Sequence, residues 1–278
     1  MLGPCPGCSL GWRVTVSEQD RFNALFDLQD ASRHEADRLL LDSVLVEHAA
    51  LGSGRGHGSG HQQYELRLRS SDGAEVRAFF KPANGLGQRS LELFGQTRAS
   101  CVLAEALAWR LAVALGPPYA ELVAPCVLRF FETIDVDAPG AVALARPGVD
   151  ESYAPADEVP EQWAAAALFD ALSGQQDRHS GNWLWDQDGR ALYLIDHGYC
   201  FARRGDHYAN SEILRIRRER GGLAVSDAEV ELLNQTLEKV GPLVLERVLE
   251  SSRVRSLRAR AQAMIAPPAV ILREGAFH

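Results

Sequence analysis

The spacing of apolar residues changes twice along this chain, and each change marks a boundary. Phe22, Leu25, Phe26, Leu39 and Leu40 recur at helical intervals among charges, predicting helix over 17–42 behind a short strand at 12–16. From Ser43-Val44-Leu45-Val46 onward the period shortens to two. Tyr64-Glu65-Leu66-Arg67-Leu68-Arg69 alternates apolar and polar residues as a half-exposed strand does. Ser71-Asp72-Gly73 supplies a turn, and Val76 to Lys81 forms the next strand. Ala83 to Arg98 reads as loop. Ser100–Leu115 reads as a strong helix, with Val102, Leu103, Leu107, Trp109, Leu111 and Leu115 apolar and alanines between, until Gly116-Pro117-Pro118 stops it. Leu122–Phe131 and Gly140–Ala145 read as two more strands around a turn at 135–139.

A second change of character follows. Arg146–Pro160 is rich in Pro, Asp and Glu and reads as a crossover. Glu161–Leu172 is an alanine-rich helix closed by Ser173-Gly174. Trp183-Leu184-Trp185 and Ala191–Ile195 then form a hairpin over the turn Asp186-Gln187-Asp188-Gly189. Residues 202–222 are dense in charge, either a solvated face or a local basic edge. Ser226-Asp227-Ala228-Glu229 carries a capping pattern, and helices are expected at 227–240 and about 242–264, before Pro267-Pro268. The predicted organisation is therefore α+β. Residues 1–42 form an N-terminal cap, 43–149 an antiparallel sheet lobe with one helix, and 150–278 a mainly helical lobe.

Composition narrows the partners. The 278 residues carry a net charge of −8, which argues against a global pull on nucleic acid or an anionic membrane. No run of eighteen apolar residues occurs, so no integral membrane association is expected. The five cysteines are odd in number and scattered, which points to a reducing, cytoplasmic setting. Cys5-Pro6-Gly7-Cys8 has the spacing of half a zinc site, but no second CxxC completes it.

Several residues carry chemistry. Leu51 to His61 holds five glycines in nine positions from Gly52. Gly54, Gly56, Gly58 and Gly60 would let backbone N–H groups approach phosphate oxygens, although the same composition also makes a linker. Lys81 closes the third strand directly after Phe79-Phe80, where it either reaches inward as a point charge for phosphate or stays solvated. Glu105 is the only charge in the first ten residues of the 100–115 helix. A carboxylate in so apolar a helix wants a cationic partner, and Lys81 is the candidate. In the hairpin, Asp177 and Asn182 precede the first strand and Asp196 follows the second, so antiparallel pairing brings all three to one edge. Two carboxylates and an amide there suit a hard cation such as Mg²⁺, with one carboxylate left to orient a nucleophile.

Taken together, the glycine-rich loop between two strands, the lysine, the helix glutamate and Asp-x₄-Asn resemble the protein-kinase-like fold. The local pattern departs from the eukaryotic one. Asp177-Arg178-His179-x-x-Asn182 and Ile195-Asp196-His197-Gly198-x-x-Phe201 resemble the atypical branch, namely HipA-type bacterial serine/threonine kinases and the phosphatidylinositol 3-/4-kinases. The resemblance implies a two-lobed enzyme that uses ATP and Mg²⁺. Lys81 would contact the phosphates and pair with Glu105, the four glycines would cover ATP, Asp177 would orient or deprotonate the acceptor, and Asn182 with Asp196 would hold the metal. Arg178 and His179 would act in catalysis or support the loop through hydrogen bonds. The expected function is phosphotransfer to a hydroxyl, on a protein Ser/Thr or a small molecule, with Ser53 and Ser59 as candidate autophosphorylation sites. A lipid acceptor has no membrane-binding helix to favour it. A nucleotide-binding pseudokinase scaffold and AMP transfer are the alternatives.

Overall fold

The computed structural model describes residues 15–32, 34–51, 62–86, 91–92, 95–134, 136, 138–149, 157, 159–201, 210–220, 222, 224–240 and 245–271. The expected glycine-rich loop, including Gly54, Gly56, Gly58 and Gly60, lies outside these residues, as do Cys5, Cys8, Ser53 and Ser59.

Five antiparallel strands build one lobe. They are β1 (Val44–Leu51), β2 (Gln63–Arg69), β3 (Glu75–Pro82), β4 (Cys126–Arg129) and β5 (Gly140–Leu144), in the order β1-β2-β3-β5-β4. The alternation in β2 and β3 turns Tyr64, Leu66, Leu68, Ala78 and Phe80 toward one apolar cluster, where they meet Val127, Val142 and Leu40. Phe79 and Lys81 therefore take the opposite face. Gly140 lets β5 pass this point of β3, because a Cβ there would lie 2.3 Å from the Phe80 ring. β1 runs longer than its apolar signal suggested. It is an edge strand with no buried face, so no alternation marks its length.

The predicted helix at 17–42 is two helices. α1 (Val16–Asp30) starts one residue earlier, where Thr15 and Glu18 form a capping box that makes Val16 helical rather than extended. α2 (Glu35–Asp42) restarts after His34, whose ring nitrogen accepts the Ala36 N–H. α3 (Arg98–Leu115) begins with a Thr97/Ser100 capping box and ends at Gly116, at φ +76°. A helical turn, α4 (Tyr119–Leu122), takes Leu122 out of the expected strand, which starts only at Cys126 and ends before Phe131.

The second lobe holds α5 (Pro160–Ser173), the hairpin β6 (Trp183–Asp186) and β7 (Ala191–Leu194), and α6 (Glu212–Glu219). α7 (Asp227–Val240), α8 (Glu246–Val248) and α9 (Ser251–Ile265) complete it. α6 stands inside the charged run, burying Ile213 and Leu214 beneath a basic outer surface. The helix expected at 242–264 is divided, because Glu250 adopts an extended backbone at the start of α9. The larger apolar cluster joins α1, α3, α5, the hairpin and the C-terminal helices.

Candidate active site

The site is assembled at the meeting of β3, α3 and the end of β7. Lys81 extends from β3 on the face opposite the core, and its ammonium meets Glu105 Oε1 at 2.8 Å and Asp196 Oδ1 at 3.0 Å. One cation thus joins a strand, a helix and a loop. The second oxygen of Glu105 accepts the backbone N–H of His197 at 2.8 Å. Gly198 follows tightly, since a Cβ there would lie 2.5 Å from the Cys101 sulfur on α3. Asp196 has φ +56°, a left-handed conformation that aspartate tolerates better than most residues. Its carbonyl accepts from Gln175 at 2.9 Å.

These contacts set the charges. Burial opposes the Lys81 ammonium, but Asp196 and Glu105 outweigh it and raise its pKa above the ordinary lysine range. Of the two carboxyls, burial pushes Glu105 up despite Lys81. Asp196 keeps a third of its side-chain surface open (35%), and its acidity follows Lys81, which overcomes burial and holds it down to about 2. Two carboxylates share one ammonium, which leaves a deficit of positive charge.

The loop ahead of the hairpin is built on Arg178. Its guanidinium is wholly buried and bonds Asp170 of α5, at 3.1 Å from Oδ2. Nη1 donates to the carbonyls of Asn182 and Ile195, each at 2.5 Å. Asp170 also accepts from Ser211, the N-cap of α6, at 2.7 Å. Arg178 therefore supports the loop rather than facing the cleft. His179 is exposed at the surface, and its Nδ1 accepts the Gly181 N–H at the start of the 3₁₀ turn Ser180–Asn182. Asn182 Nδ2 donates to the Asp177 carbonyl at 2.6 Å, leaving its side-chain oxygen as a potential ligand. The Asp177 carboxyl is raised, chiefly by burial and also by the charge on Asp196.

A cavity of about 280 Å³ runs along the junction of the lobes. Lys81, Glu105, Asn182 and Asp196 line it together with Ala124, Ala141, Leu144, Leu184 and other apolar residues. A polar cavity of about 250 Å³ opens beside Asp177, with His179, Asn210, Glu212 and Arg215 around it. Another cavity, about 330 Å³ around Pro118 and Tyr193, contains none of the predicted site residues.

Against known structures, hydra Fam20 solved with sugar matches with a TM-score of 0.53 and 12% identity, over 90% of this chain and 94% of that one. The fold is kinase-like. The open conformation of CtTel1 also matches, at 11% identity and a TM-score of 0.35, over 74% of this chain and 11% of that one. No family model and no curated protein matches the sequence.

In this kinase-like frame, Lys81, Glu105, Asn182 and Asp196 converge on one cavity, and Asp177 stands beside it. Sequence reasoning missed Asp170, Gln175 and the His197 amide. Asp170 was discoverable, because it is a lone charge in the apolar stretch of α5, the same signal that marked Glu105 in α3. His197 is buried and lies edge-on to Phe169 at 5.8 Å, with burial pushing its pKa well below the usual histidine range. Its imidazole is therefore neutral.

Proposed function

We propose that this protein is an ATP- and Mg²⁺-dependent phosphotransferase that moves the γ-phosphate to a hydroxyl, with a protein Ser/Thr as acceptor in the manner of HipA-type kinases. The observation that carries this reading is the single ammonium of Lys81 shared by Glu105 and Asp196 at the polar end of the inter-lobe cavity. Residues 43–149 supply the nucleotide-covering lobe, 150–278 the catalytic and metal loops, and 1–42 a cap. The three described cysteines are free and buried, which suits a cytoplasmic protein.

The donor set fits a hard cation. Asn182 offers a side-chain oxygen and Asp196 a carboxylate, and both line the same cavity. Among the described residues no group of three or more His, Cys, Asp or Glu converges, and Mg²⁺ beside a nucleotide takes its remaining oxygens from phosphates and water. Bound there, it would neutralise charge on the transferring phosphoryl group.

The remaining chemistry falls to the chain. Lys81 places positive charge on the phosphates, and Glu105 holds Lys81 in place. The acceptor oxygen attacks the γ-phosphorus while its proton passes to the Asp177 carboxylate. The bond to the β–γ bridging oxygen breaks, and ADP leaves. The raised pKa of Asp177 makes it a better base than an exposed aspartate.

Incubation with γ-labelled ATP and Mg²⁺ tests the reading on wild type, Asp177→Ala and Asp196→Asn. Labelled protein or acceptor from wild type, lost in both variants, is expected. A product heavier by about 329 Da rather than about 80 Da would replace phosphoryl transfer with AMP transfer. No turnover with protein or small-molecule hydroxyl pools would leave the scaffold reading.

A further inference from the structure

From one corner the N-terminal helices brace the two elements that carry the Lys81–Glu105 pair, the sheet through Leu128 and α3 through Trp109 and Arg110. Gln29, at the end of α1, is fully buried. Its side chain accepts the Leu128 N–H at 2.6 Å and donates to the Leu128 carbonyl at 3.2 Å. Gln29 thus takes the place of a further strand along the edge of β4. Leu128 lies opposite Ala141, and Ala141 lies opposite Lys81. The amide of Gln29 is therefore docked on the same rung of the sheet as Lys81.

Eight residues further on, Asp37 of α2 is fully buried. One of its oxygens accepts from Trp109 Nε1 at 2.7 Å, and the other from Arg110 Nη1 at 2.6 Å and from the Ser32 hydroxyl. Trp109 lies one helical turn beyond Glu105, on the same side of α3. The opposite end of α3 is held as well, since the Thr97 hydroxyl donates to Glu18 of α1 at 3.1 Å.

We infer that the α1–α2 corner is an internal gauge that fixes the distance between Lys81 and Glu105, with Asp37 and Gln29 as positioning residues for the nucleotide site. The function of the gauge rests on the proposed role of Lys81 and Glu105 in binding ATP. α3 also packs on β4 and β5 through an apolar cluster that includes Leu128 and Ala141. The hydrogen bonds of Asp37 and Gln29 add contacts of fixed direction, which resist a sliding of α3 that apolar packing alone would permit. Asp37 suits the task because three donors, two from α3 and one from Ser32 between α1 and α2, converge on a carboxylate that has no access to water. Any movement of α3 breaks charge-assisted hydrogen bonds that solvent cannot replace.

A double-mutant cycle tests this, with Mg·ATP affinity measured by calorimetry on the full chain. Asp37→Asn is expected to weaken binding about tenfold when Glu105 is present and less than twofold in Glu105→Gln, the non-additivity of residues that act through one another. Equal losses in both backgrounds would make Asp37 a mere stabilising residue and overturn the inference. Amide hydrogen exchange separates the gauge from the functional reading. Exchange in α3 should rise in Asp37→Asn while α9 stays protected, whatever Glu105 does for ATP. Unchanged exchange in α3 would overturn the gauge, whereas ATP affinity unmoved by Glu105→Gln would overturn only the role of the pair. Should Asp37→Asn not fold, Asp37→Asn/Arg110→Gln removes both charges together and leaves no lone buried ion.

Discussion

Two buried ion pairs lie on either side of the cleft, and they are built differently. Arg178 and Asp170 have no exposed side-chain surface, and every nitrogen of the guanidinium has a protein acceptor. Asp170 outweighs burial and raises the Arg178 pKa further. Lys81 instead serves two carboxylates with one charge, and one of them, Asp196, faces the cavity. The first pair is saturated by the protein and holds the loop. The second is left short of positive charge where a ligand would enter. A fully satisfied buried charge fixes structure, and a partly satisfied one at an opening is the better sign of a binding site.

The strongest way to break this contrast is at Arg178. Arg178→Met should cost about 3–5 kcal/mol, because Asp170 becomes a lone buried charge. A melting temperature close to wild type would contradict the saturated reading. Next in size, Asp196→Asn should lower the melting temperature, but by less than Arg178→Met does. It gives up the ion pair that holds the Asp196 carboxyl down to about 2, yet keeps the Lys81–Glu105 pair and the left-handed backbone. Phosphotransfer in that variant should fall about a hundredfold, as when one preorganised electrostatic group is removed. Wild-type turnover would mean that the cavity-facing charge does nothing.

The smallest effect concerns Asp177, whose folded pKa lies above its ordinary 3.8. Its contribution to stability is complete below the ordinary aspartate value and is lost as pH rises through the raised one. At pH 7 the carboxylate is therefore a burden on the fold, and Asp177→Asn should melt higher than wild type while losing activity. The gap should close as pH falls below the ordinary aspartate value. A gap independent of pH would show that the substitution acts through something other than the charge.

How readily each part could be read from sequence followed the same division. Lys81 and Glu105 stood out because each interrupts an apolar pattern, and the hairpin announced Asn182 and Asp196 through its turn. Asp37 gave no such signal. It sits among Glu35, Arg38 and Asp42, where a buried carboxylate looks like any solvated one. α6 was hidden for the complementary reason, since its arginines outnumber the two residues it buries. β1 lacks a buried face altogether, and its length depends on pairing with β2 rather than on its own side chains.

The guanidinium of Arg178 has a consequence for how this chain can vary. It ties the carbonyls of Asn182 and Ile195 to Asp170, which also holds Ser211. Four points distant in sequence are thereby tied together at one place, so the number of residues between 170 and 182 is constrained as firmly as their identity. An inserted residue there would displace every point at once, whereas the exposed hairpin tip at Gln187–Gly189 lies outside the knot. Insertions and deletions among descendants of this sequence should therefore collect at that tip and spare the stretch before the hairpin, a pattern of lengths rather than of side chains.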